Sequence, residues 1–444
     1  MADMEEIRLE ALKGLTILAI HDGQFRRGVM DDLEGTLRRY GYELTDQEME
    51  RLRRAHMDIA GWSDEDLARS LREREARVLT EEEERILSPE QFLRRRWRFS
   101  VRCCTRDRGK VRTDKRRMHE RVGRVFTFLD ELIVALPVPS NYRELLQEHL
   151  EADRELAEVQ SGMSAVQLPL LVHEAITGDE GPALPVAGAC TLLHLGADLF
   201  DSVLDQELPP PWHTRGSSEA SLAATTLLAA LPQLSIARLR EQGTPPAKLW
   251  TLARLFADTL LTMSAGQYED LLFPNLENVS LEHSRAMVER KSGSASALLA
   301  RSGAVLATDD SFTIEAYAAF GLCFGIAKQL INDVWDIWGE DTSRDLLNGK
   351  RTLPLVHALS TLQGEQRQRL QELLVAARES TEHNDEVRAL LAAAGSLRYT
   401  ALIVWLYQQR AHNHLAGASP QEPAGRELRM LLDRASLLPQ AKEA

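Results

Sequence analysis

Apolar residues in this chain recur at helical rather than alternating spacing. In the first 90 residues the runs are short: Leu12, Leu15, Ile17 and Leu18 mark one segment, and Met49 and Leu52 another, among polar residues. Thr45 followed by Glu48 has the form of a capping box, in which hydroxyl and carboxylate each accept a backbone amide of the other's residue, so a helix is predicted to start there. From about residue 118 the periodicities lengthen. They are separated by short breaks rich in Pro, Gly and Asn: "LPVPSN", "TGDEGPALP", "ELPPPWHTRG", "EQGTPP", "FPNLENVS" and "NGKRTLP". No long stretch alternates with period two, and Val and Ile are sparse beside Leu and Ala, so strands lack their usual residues. The pattern predicts an all-α bundle to about residue 417, a polar break "ASPQEPAG" and a last short helix. Three regions follow: a small helical module over 1–90, a basic linker over 91–117 and a helical domain over 118–444.

Composition changes this picture little. With 44% apolar and 27% charged residues in 444, the chain has the balance of a packed globular protein. No contiguous apolar run approaches the ~20 residues that span a bilayer, and the acidic start "MADMEEIRLE" is unlike a signal peptide, so the expectation is a cytoplasmic protein with no transmembrane segment. Cys103, Cys104, Cys190 and Cys323 have no paired CxxC spacing and read as reduced thiols.

Charge is more informative. A net −14 argues against a nucleic-acid partner, yet residues 94–117 carry twelve Lys/Arg against Asp107 and Asp114. A solvated linker pairing with acidic neighbours such as Glu81 to Glu84 is the preferred reading of that stretch, with phosphate or anionic lipid as the other.

The candidate chemistry lies in two acidic segments. In "HLGADLFDSVLDQE", Asp198, Asp201 and Asp205 stand at i, i+3 and i+7, which places three carboxylates on one helical face in apolar surroundings. Such a face costs desolvation and repulsion unless cations sit among the carboxylates. In "KQLINDVWDIWGEDTSRDLLNGKRTLPLVHAL", Asn332, Asp336 and Glu340 stand at i, i+4 and i+8 with Asp333 adjacent, and Lys350 and Arg351 follow in a loop. Two acidic faces and loop cations suit Mg²⁺ and a diphosphate, because hard cations take carboxylate and phosphate oxygens together. Heterolysis of an allylic carbon–oxygen bond needs that arrangement to hold the departing anion.

On these residues the chain resembles the trans-isoprenyl diphosphate synthase (polyprenyl synthetase) family of class I isoprenoid enzymes. The first family motif, DDxxD, falls on "DSVLD" from Asp201 to Asp205, with Ser202 in place of an acid. The second falls on Gln329, "NDVWD" and "GKRTLP", with Asn332 in place of an acid. Gln267 and Asp270 of "GQYEDL" and Lys291 of "ERKSGSASALL" match two further marks in order.

The resemblance implies an isoprenoid-synthase helical bundle around a central cavity, a homodimer, and three Mg²⁺ held by Asp198, Asp201, Asp205, Asn332, Asp333, Asp336 and Glu340. Lys291, Lys350, Arg351 and Arg215 would then contact the substrate diphosphate, with Gln267 and Gln329 as neighbouring polar contacts. Asp201, Asp205, Lys291, Asn332 and Asp336 would be the catalytic set. The family's GKxxRP, whose cations hold isopentenyl diphosphate, falls on "GMSAVQLPLLV", where Gly162 and Pro169 remain but Ser164, Ala165 and Leu168 stand in place of charge.

The expected activity is therefore transfer of an allylic prenyl group to an acceptor that need not be isopentenyl diphosphate, such as a peptide or small molecule. "NDVWDIWGE" also resembles the NDxxSxxxE motif of class I terpene cyclases, which leaves a cyclase as an alternative and a non-catalytic regulatory homologue as another. Packing rather than chemistry is expected of Trp335, Trp338, Phe320, Phe324, His194, Arg398 and Tyr399.

Overall fold

The computed structural model describes residues 7–76, 111–159, 163–208, 212–276, 278–339 and 343–437. Glu340, Gly162, Cys103, Cys104, Glu81 to Glu84 and residues 94–110 of the basic stretch lie outside these ranges. The described residues contain helices and no strand, which is the all-α expectation.

Five short helices lead: α1 (Leu9–His21), α2 (Gly23–Asp31), α3 (Leu33–Arg39), α4 (Asp46–Ala60) and α5 (Asp64–Ala76). The capping box forms as predicted. Glu48 N donates to Thr45 Oγ1 at 3.2 Å, and Thr45 N donates to Glu48 Oε2 at 2.8 Å.

The larger part follows as α6 (Val111–Val134), α7 (Ser140–Val159), α8 (Ser164–Thr177), α9 (Leu184–Leu204), α10 (Ser217–Thr225), α11 (Leu231–Ala237), α12 (Pro246–Leu272), α13 (Leu281–Val288), α14 (Ser294–Ala307) and α15 (Ser311–Gly339). It closes with α16 (Leu353–Thr361), α17 (Gly364–Ala376), α18 (Asn384–Ala393), α19 (Ser396–Gly417) and α20 (Ala424–Arg434). The break and last short helix after Gly417 stand where the sequence placed them.

α15, 29 residues long, is the axis of the bundle. It packs along α14 and α19, and α14 packs in turn on α8 and α12. Tyr317, Phe320, Phe324, Trp335 and Trp338 of α15 are buried in this core, as expected of packing residues. The leading helices share the same core. The Asp64 carboxylate accepts from Leu397 N at 2.9 Å and Arg398 Nε at 3.0 Å, which caps the first turn of α19, and Tyr399 stacks on His357.

Three helical stretches, Gly181–Leu204, Ser217–Arg240 and Ser311–Gly339, are long and apolar enough to cross a membrane by length and composition, which was not expected from contiguous apolar runs. Their apolar windows are 72%, 44% and 67% buried inside the fold, so packing in the bundle accounts for most of the apolar character of the first and third and for less than half of that of the second.

Candidate active site

The end of α9 carries Asp198, Asp201 and Asp205 beside a π-helical turn, Glu289–Gly293, and the loop that follows α15. Lys291 sits in that π turn, a form often found where a helix serves a site. Its Nζ donates to Asp201 Oδ1 at 3.2 Å and to Asp270 Oδ2 of α12 at 2.7 Å. Gln267 Nε2, one turn before Asp270, also donates to Asp201 Oδ1, at 2.7 Å.

This convergence needs Gly266. A Cβ there would lie 2.5 Å from the Lys291 backbone nitrogen, so only glycine lets α12 approach the π turn closely enough for Gln267 and Lys291 to share one oxygen.

Lys350 makes the second bridge. Its Nζ donates to Asp205 Oδ2 at 2.9 Å and lies 3.8 Å from Asp345 Oδ1. The loop reaches this position through Gly349, whose φ of +66° lies in the left-handed region that glycine adopts without strain. Burial tends to raise the Asp201 carboxyl, but Lys291, Lys350 and the bond from Gln267 outweigh it and hold Asp201 below its ordinary range. Asp205 is instead held above its ordinary value, by burial and by Asp201, against the pull of Lys350. For Lys350, burial works against the charge, yet four surrounding carboxylates raise it well above an ordinary lysine, and Lys291 is raised in the same way.

The α15 acids are treated differently. Asp333 is buried, accepts from Gln329 Nε2 at 2.8 Å, and is pushed up to about 7 mainly by that burial. Gln329 in turn accepts from Ser292 Oγ at 2.8 Å, which ties α15 to the π turn. Asp336 Oδ1 accepts from Ser343 Oγ at 2.5 Å and Asp345 N at 3.0 Å, and Oδ2 accepts from Arg344 N at 3.2 Å. Asp336 therefore anchors the loop carrying Lys350, with both oxygens engaged.

Arg344 extends the bridge to the first segment by donating to Glu207 Oε2 at 2.8 Å. Asn332 Oδ1 is buried with no hydrogen-bond partner, and so is Arg351 Nη1.

The structure thus brings together Asp201, Asp205, Lys291, Lys350 and Gln267, and sets Asp333, Asp336 and Gln329 behind them. Arg215 stands apart, its guanidinium donating to Glu148 of α7 at 2.6 Å. His194 is about a third exposed and lies 3.7 Å from Asp198, so it is less packed than expected. Ala165 and Leu168 are buried in the core. Asp345, Ser343, Ser292, Arg344 and Glu207 were not singled out by sequence. The one available signal was Asp345, an acid five residues before Lys350 in the same loop.

The donors suit a hard cation in kind: they are carboxylate and amide oxygens, and Asn332 Oδ1 lacks any partner. Among the described residues, however, no group of three His, Cys, Asp or Glu side chains converges as a ready metal cage.

The fold is that of the isoprenoid synthases. It superposes on the geranylgeranyl pyrophosphate synthetase of Pyrococcus horikoshii Ot3 with a TM-score of 0.63 at 22% identity, over 73% of this chain and 98% of that one. The sequence model of the polyprenyl synthetase family matches residues 168–393, half of the chain, and the chain belongs to that family. It is 29% identical over 222 residues to a geranylgeranyl diphosphate synthase of Mycobacterium tuberculosis, covering 47% of this chain and 62% of that one. It is 25% identical over 264 residues to a geranylfarnesyl diphosphate synthase of Aeropyrum pernix, covering 57% and 81%. The chain therefore spans about three fifths of the length of the first of these relatives.

Proposed function

We propose that this chain is a Mg²⁺-dependent prenyltransferase that ionises an allylic prenyl diphosphate and passes the prenyl group to an acceptor that need not be isopentenyl diphosphate. The observation that carries this reading is the pair of lysine bridges: Lys291 joins Asp201 to Asp270, and Lys350 joins Asp205 to Asp345. In the ionisation step the allylic carbon–oxygen bond breaks and its electron pair leaves with the diphosphate, so negative charge grows on the phosphate oxygens. Lys291 and Lys350 are held charged by the carboxylates around them, and preorganised cations of this kind lower the barrier where charge develops.

Asp198, Asp201, Asp205 and Asn332 are the residues that would hold Mg²⁺ together with substrate oxygens, and the ion would supply Lewis-acid stabilisation of the leaving diphosphate. Three ions follow from the family resemblance. Asp336 holds the Lys350 loop against α15, and Gln329 with Ser292 fixes the π turn that presents Lys291. The apolar residues left exposed on Ser217–Arg240 and α12, among them Leu222, Trp250 and Leu261, support a homodimer.

Purified protein with Mg²⁺ and C10, C15 or C20 prenyl diphosphates, each with and without isopentenyl diphosphate, tests the proposal by mass spectrometry. Diphosphate release that depends on Mg²⁺ is expected. A cyclic hydrocarbon or terpene alcohol from one diphosphate would replace this reading with a cyclase. Absence of turnover with every substrate would replace it with a non-catalytic homologue.

A further inference from the structure

Lys350 and Arg351 are consecutive, yet they meet opposite surroundings. Lys350 lies among carboxylates, and Asp205 accepts from it at 2.9 Å. Arg351 forms no ion pair among the described residues, and the charged group that acts on it is a second guanidinium, Arg378. Arg378 stands just past α17, is exposed, and donates from Nη2 to Pro274 O at 2.5 Å. It too makes no ion pair among the described residues. Its guanidinium lies against the turn that carries Lys350: a Cβ on Gly349 would stand 2.3 Å from Arg378 Nε and 2.6 Å from Nη2.

The polar atoms of this stretch are short of partners as well. Arg351 Nη1, Asn348 Nδ2 and Thr352 Oγ1 are buried and make no hydrogen bond. Thr352 is the N-cap residue of α16 and has the backbone of one, φ −66° and ψ 159°, but its hydroxyl caps no amide. The first turn of α16 therefore opens onto the same stretch with its positive end uncapped by any side chain.

Two neighbouring guanidiniums repel each other, and burying a guanidinium nitrogen without an acceptor adds a desolvation cost. Burial and Arg378 together pull Arg351 below its ordinary value. An oxyanion removes both costs. It accepts from several donors at once, matches the planar fork of an arginine with two of its oxygens, and is favoured at the start of a helix. Bound water would satisfy the orphaned atoms but would leave the two charges unbalanced.

We propose that Arg351 and Arg378, with Asn348 Nδ2 and Thr352 Oγ1, form a binding site for a phosphate-class oxyanion, separate from the carboxylate-paired lysines. The site goes beyond the prenyl-transfer reading and does not depend on it. Two sources share this chemistry: inorganic phosphate, and inorganic diphosphate, which is the anion that the proposed ionisation releases.

The full-length protein, freed of divalent cations with a chelator, is titrated calorimetrically with inorganic phosphate and separately with inorganic diphosphate. Saturable binding of one anion per chain is expected. Arg378→Gln weakens it about tenfold or more, the size of one lost charge-assisted hydrogen bond, and Arg378→Lys recovers part of the loss. Lys291→Gln leaves the affinity unchanged, because Lys291 belongs to the paired lysines. Diphosphate binding far more tightly than phosphate names the released anion as the ligand, and comparable affinities name inorganic phosphate.

No saturable binding of either probe by the wild type overturns the proposal and leaves water as the occupant. Binding that Lys291→Gln abolishes and Arg378→Gln spares also overturns it, since the anion would then lie among the paired lysines. Arg378 is exposed, so the thermal midpoint of Arg378→Gln without anion should match that of the wild type, and a loss of binding is then a loss of the site. None of these readouts requires turnover, so failure of the product assay and failure of this site are distinguishable.

Discussion

The two acidic segments of this site use the same residue type in opposite ways. On α9, Asp201 and Asp205 face lysines, and Asp201 is held charged by them. On α15, Asp333 and Asp336 face neutral donors, a glutamine amide, a serine hydroxyl and two backbone amides, and burial holds both above the ordinary carboxylate range. A lysine-paired carboxylate can exchange its partner for another cation without leaving an unbalanced charge, whereas a carboxylate hydrogen-bonded to its own loop is part of the scaffold. Asp201 and Asp205 of α9 are thus paired in a way that permits partner exchange, whereas Asp336 of α15 holds the loop that brings Lys350 to them.

The comparison breaks most visibly by replacing one acid from each segment. Asp201→Asn is expected to reduce Mg²⁺-dependent diphosphate release by about 100-fold or more, in the range seen when one charge-stabilising group is removed, with little change in urea midpoint because Lys291 keeps Asp270. Asp336→Asn should lower stability as well, by about 1–2 kcal/mol, since three donors lose their carboxylate acceptor. Equal stability of the two variants in urea titration would erase the distinction.

A smaller effect sharpens it. Gly266→Ala pushes α12 away from the π turn, where the new Cβ would meet Lys291 N at 2.5 Å, and overpacking of this kind costs about 1–3 kcal/mol. Because Gln267 and Lys291 would no longer share Asp201, activity should fall with stability, and an unimpaired enzyme would show that the shared oxygen is dispensable.

The least change concerns acid titration of the whole chain, which must be separated from that of the two segments. His357 is buried, stacks on Tyr399, and is pushed down to about 3 by its burial. The unfolded chain binds this proton below about 6.5 and the folded chain only near 3, so the stability it contributes is present above 6.5 and is lost as pH falls between those values. In His357→Gln the loss over that window should shrink, as read from denaturation midpoints at pH 7 and 5. An unchanged slope would assign the acid limb to other groups.

Much of this was legible in the sequence because it is local. Helical periodicity, the capping box at Thr45 and the Pro/Gly breaks depend on neighbours a few residues away, and each produced the element expected. The i, i+3, i+7 spacing placed Asp198, Asp201 and Asp205 on one face for the same reason. Partners across helices were less legible. Asp336 had the spacing of a metal ligand on α15, but the turn at Ser343 brings loop donors onto both of its oxygens. Arg215 followed the first motif in sequence, yet Glu148 of α7 holds it.

The sequence by itself determined an all-helical chain, two acidic helix faces and a loop with cations after the second, because a 3.6-residue repeat fixes which side chains share a face. Only the tertiary structure decided which cation meets which acid. Lys291 reaches Asp201 through the close approach at Gly266, Lys350 reaches Asp205 through the positive-φ turn at Gly349, and Lys328 meets Ser164 across 164 residues of chain. Those pairings follow from how whole helices pack, and packing depends on shape and volume summed over the core, which no local spacing encodes.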